Sequence, residues 1–75
     1  MSLQQRDHDT AVGWINVELE ELARTVGKPN ASAAATSAIT LAFMLRVIDE
    51  SEQRAFRARV DDIYASYNES HSTAA

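Results

Sequence analysis

At 75 residues the chain has room for one small domain, and a lone core of that size seldom supplies more than about 3–5 kcal/mol. It has no cysteine, and its two histidines, His8 and His71, lie at opposite ends, so disulfides and a Cys/His metal site are both set aside and oligomerisation is the remaining support. Seven Lys and Arg against eleven Asp and Glu leave a net charge of -4, which argues against general affinity for nucleic acid, whose phosphates are held by basic side chains.

The first element is a helix of about residues 3–26. Val12, Ile15, Leu19, Leu22 and Val26 follow a 3-4-3-4 spacing, which places five apolar side chains on one helical stripe. Ser2 with Gln5 fits a capping box at its start, and Glu20 with Arg24 has the i,i+4 spacing of a favourable ion pair. Trp14 and Val17 break the pattern from the back of this helix. They are either partly exposed side chains or a second contact surface, where Gly13 admits another backbone and Trp14 anchors the contact.

Gly27-Lys28-Pro29-Asn30 stops this helix and starts another. Gly27 suits a left-handed C′ position, Pro29 cannot continue a helix, and Asn30 or Ser32 can cap the next one. So short a connection predicts an antiparallel hairpin.

The second helix is expected over about residues 31–48. Its Ala-rich opening is strongly helix-forming. From Ala38 to Ile48 only Thr40 and Arg46 are polar, so this helix has no solvent face and needs cover on nearly every side. Phe43 and Met44 are the large side chains left over for a partner. The strip is eleven residues long, well short of the roughly 20 needed to cross a bilayer. With a start that is polar from Met1 onward, this predicts a cytoplasmic protein without a membrane span.

Asp49 with Glu52 fits a capping box for a third helix over about residues 51–67, striped by Phe56, Val60, Ile63 and Tyr67. The alternative is one long, kinked second helix, because no Gly or Pro marks the junction. Glu50 with Arg54, and Arg57 with Asp61, have ion-pair spacing. Residues 68–75 read as a polar, flexible tail, leaving a single helical domain over 1–67.

Chemistry is sparse. In Asp7-His8-Asp9 neighbouring side chains point about 100° apart on a helix, so the three do not converge on one ion. No Ser or Cys is placed with a base for nucleophilic catalysis, and the two glycines, Gly13 and Gly27, do not form a phosphate loop. Catalytic, metal and cofactor-binding residues are therefore all expected to be none, and the chain is not expected to be an enzyme.

The stretch Leu22 to Ser32 resembles the first helix and turn of bacterial helix-turn-helix proteins, a small residue being followed by an apolar one and the turn glycine. That resemblance implies a small DNA-binding regulator. The helix after the turn offers no Arg or Lys until Arg46, and only Asn30 lies near for reading base edges.

The expected fold is all-α: an antiparallel helical hairpin plus a third helix, dimerised into a bundle. In architecture, though in no sequence motif, this is similar to small plasmid-encoded helical-hairpin dimers of the Rop type. Val12, Ile15, Leu19, Leu22 and Val26 are expected to face Leu41, Leu45 and Ile48, while Phe56, Val60, Ile63 and Tyr67 complete the core or pair with a second copy. The expected function is that of a non-enzymatic interaction or regulatory protein acting as a homodimer, with Trp14 and Val17 at the contact and Arg54 and Arg57 as its polar rim. The alternatives are the DNA-binding regulator and a helical subunit of a larger protein complex.

Overall fold

The computed structural model describes residues 3–71, with His71 described in its backbone only. Three helices follow one another: α1 (Leu3–Thr25), α2 (Ala33–Met44) and α3 (Glu50–His71). Each packs against both others, and no strand occurs among the described residues. The protein is an all-α bundle. At 1.5 Å per residue α1 and α3 are each about 33 Å long and α2 only about 18 Å. The expected Ser2 cap lies outside the described residues.

Three cross-contacts set the topology. His8 meets Glu52, Asn16 accepts a hydrogen bond from Arg59, and Gly27 lies under the Tyr67 ring. The partners advance together along both helices, so α1 and α3 are parallel and α2 returns between them.

The α1 stripe folds as its spacing predicts. Ile15, Leu19 and Leu22 are buried, with Val12 and Val26 half-buried at its ends. Ala35, Ile39 and Ala42 meet them from α2, Phe56 from α3, and Ile48 from the connection. Val60, Ile63 and Tyr64 pack on this cluster, so α3 completes the core within the chain.

The expected facing of Leu41 and Leu45 onto α1 is corrected: they are 57% and 65% exposed, and of that trio only Ile48 is buried. The inner stripe of α2 is Ala35, Ile39 and Ala42 instead. A helix wedged between two others approaches both most closely where its side chains are small, and two alanines flanking one isoleucine give that narrow face.

The connections explain the remaining differences. Gly27 does not take the left-handed conformation expected of it; the positive φ in this turn, 60°, belongs to Asn30, a residue type that tolerates it. A Cβ at Gly27 would stand 2.7 Å from the Tyr67 hydroxyl, so a side chain there would require the Tyr67 ring to shift. Ser32 occupies the N-cap of α2 without a side-chain capping bond.

The second helix stops at Met44, four residues short of its expected end. Arg46 sits at φ 61°, its N–H donates to the Phe43 carbonyl at 3.0 Å, and the Val47 N–H donates to the Ala42 carbonyl at 3.0 Å. These are the paired bonds of a Schellman motif with arginine in the usual glycine position. The chain therefore turns, and the long kinked helix does not form.

The capping box then opens α3 as expected: the Glu52 N–H donates to Asp49 Oδ1 at 2.8 Å, and the Asp49 N–H to Glu52 Oε1 at 3.0 Å. α3 continues to His71, so residues 68–71, expected in the tail, are helical.

An L-residue in the left-handed region costs about 1–2 kcal/mol, and glycine gives back about half of that in unfolded-state entropy. Arg46→Gly is therefore expected to stabilise the fold by about 0.5–1 kcal/mol, read as a higher midpoint in urea unfolding with an unchanged slope. A lower midpoint would refute the left-handed stop.

Candidate interaction surface

Trp14 and Val17 lie one turn apart on the outer face of α1, 65% and 60% exposed, and the space beyond the Gly13 Cα is open. Exposure within the chain is common to both readings of that position. Leu41, Met44 and Leu45 form the outer face of α2, with Met44 71% exposed. The two faces adjoin. Trp14, Leu41 and Leu45 line one groove of about 420 Å³, together with Asp7, Thr10 and Ala38. From Trp14 the apolar surface continues past Gly13 to Val17.

The other residues expected at a partner surface separate into different places. Phe43 and Met44 border a second groove at the α2–α3 turn, beside Arg46, Asp49 and Glu52. Phe56 is in the core, Val60 and Ile63 pack against it, and Tyr67 covers Gly27. Arg54 bonds Glu50 at 2.6 Å, as its spacing predicts, whereas the expected Arg57–Asp61 pair does not form. Neither arginine borders the grooves beside Trp14. On α1, Arg24 bonds Glu21 at 2.8 Å rather than the expected Glu20.

Sequence reasoning missed Leu41 and Leu45 as surface residues. Their stripe, Ala34, Ala38, Leu41 and Leu45, has 4-3-4 spacing, and the buried stripe Ala35, Ile39 and Ala42 has the same spacing one position on. Period alone does not say which of two adjoining stripes turns inward.

Asp7-His8-Asp9 is divided among tasks. Asp7 borders the Trp14 groove, Asp9 Oδ1 lies 3.3 Å from His8 Nδ1, and His8 Nε2 donates to Glu52 Oε2 across to α3. Hydrogen bonding to Glu52, and then to Asp9, holds the His8 pKa above its ordinary 6.5. The same bond from His8, followed by the Asp49 N–H, holds Glu52 below its ordinary 4.5. No sequence signal joins residues 44 positions apart.

No family model, curated protein or solved structure matches this chain. The fold and surface define a three-helix bundle with an uncovered apolar face.

The signs of the two shifts set a pH window. His8 contributes fully below pH 6.5, where it is charged even in the unfolded chain, and its contribution fades as pH rises through its elevated folded pKa. Glu52 contributes fully above pH 4.5, and its contribution fades as pH falls through its depressed folded pKa. The pair is therefore fully effective between pH 4.5 and 6.5. His8→Gln should flatten the decline in melting temperature above that window relative to the wild type. Identical profiles for the two proteins would show that the bond is not made in solution.

Proposed function

We propose that the chain is a non-enzymatic interaction protein, a small cytoplasmic regulator or adaptor that works as a homodimer through the outer faces of α1 and α2. The observation that carries this reading is the shared groove of Trp14, Leu41 and Leu45, all more than half exposed beside a well-buried core. Single exposed hydrophobics are ordinary, but a contiguous apolar patch marks a contact surface. Trp14 suits the role, since tryptophan buries much area with few rotamers to fix.

The ionisable groups support the non-enzymatic reading. The groups with shifted pKa values, His8, Arg24 and Glu52, sit in hydrogen-bonded pairs at the bundle surface: His8 with Glu52 ties α1 to α3, and Arg24 with Glu21 is a pair within α1. The DNA-binding alternative gains no support: α2, which would be the reading helix after the turn, carries no Lys or Arg. A subunit of a larger complex would use the same surface with a different occupant.

Light scattering at micromolar concentration is expected to give twice the chain mass of 8.3 kDa. Because Trp14 is the only tryptophan, its emission should shift to the red on dilution as the dimer separates. A monomer mass at every concentration, with constant emission, would overturn the homodimer.

A further inference from the structure

We infer that the second copy docks through α2 itself, in an antiparallel pairing of the Ala34-Ala38-Leu41-Leu45 stripe about a two-fold axis. This rests on the homodimer reading above and specifies its interface. The basis is self-complementarity. Two small residues occupy the N-terminal half of the stripe and two large ones the C-terminal half. An axis passing between Ala38 and Leu41 sets Ala34 against the Leu45 of the second copy and Ala38 against its Leu41. Each large side chain then enters the space left by a small one, four times over, as packing to interior density requires. A parallel pairing would set leucine on leucine and alanine on alanine, leaving gaps at one end and crowding at the other.

Charge points to the same occupant. Each chain carries a net -4, yet α2 has no charged residue from Ala33 to Met44. Two copies can therefore pair along the stripe itself without bringing like charges together, Asp7 being the one charged side chain that borders the groove beside it. The antiparallel arrangement also sets each α2 N-terminus beside the opposite helix end, which the helix dipoles favour.

The exposed apolar surface extends beyond the stripe. Leu41 and Leu45 on it, and Met44, Trp14 and Val17 around it, are each more than half exposed, a larger cluster than the single exposed hydrophobics ordinary for a monomer. Trp14 flanks the stripe across the groove it shares with Leu41 and Leu45, where it would close over the edge of the second α2.

Two double variants test the register. Ala34 and Leu45 are both exposed in the single chain, so substitution there leaves the core intact. Circular dichroism should confirm wild-type helicity in each variant. Ala34→Glu with Leu45→Lys sets opposite charges across an antiparallel interface, and should remain a dimer that weakens between ~50 mM and ~1 M salt. Ala34→Lys with Leu45→Lys sets like charges there, and should weaken the dimer at least tenfold in Kd. If both variants dimerise like the wild type, the interface lies elsewhere and the homodimer reading survives without this one. Because both variants carry Leu45→Lys and lose the same leucine, their difference isolates the charge pairing. If the Glu/Lys variant dimerises no more tightly than the Lys/Lys variant at ~50 mM salt, the antiparallel register is wrong. A monomeric wild type overturns both readings together.

Discussion

Arg46 holds its backbone in the left-handed region, and the second half of the fold depends on that one torsion. With φ at 61° the chain closes a Schellman motif on the Phe43 and Ala42 carbonyls and leaves the axis of α2. Ile48 thereby reaches the core from outside the helix, and Asp49 arrives where its carboxylate can cap α3. Had the helix continued, Ile48 would have stayed in phase with Leu41 and Leu45, and Phe56 would have been carried away from the buried cluster it joins. An arginine held in a conformation that suits glycine is a local cost offset by the packing it makes possible.

The same stop explains why the short helix has two apolar stripes with different fates. α2 must fit between two longer helices that run parallel to each other, and its narrow stripe of Ala35, Ile39 and Ala42 is the one that lets both approach. Turning that stripe inward turns Leu41 and Leu45 outward, because the two stripes lie side by side on one helix. The exposed face beside Trp14 is thus a consequence of how the core is packed.

Polar contacts fix the register of α1 and α3 more than they add stability. Glu52 uses one carboxylate oxygen to cap its own helix and the other to accept from His8, so a local start signal is also a long-range tie. Asn16 with Arg59 repeats the tie farther along, and the absence of a side chain at Gly27 lets the Tyr67 ring seat at the far end. Each contact lies at or near the surface, where its value is modest, yet all three are made together at this one register of α3 along α1.

The sequence by itself determined whatever depends on neighbours in the chain. The α1 stripe, the stop near Gly27, the Asp49–Glu52 capping box and the Glu50–Arg54 pair all arise from spacings of three or four residues, and so does the all-α class. The surplus apolar surface was also legible, as Trp14 and Val17 behind α1 and an α2 that is apolar all round. Only the tertiary structure decided orientation: which stripe of α2 turns inward, whether Phe56 fills this core, and that His8 meets Glu52. These depend on backbone separations between helices, and local spacing carries no information about them. The left-handed Arg46 belongs to the same group, since its conformation is imposed by packing on either side of the turn and its residue type gives no sign of it.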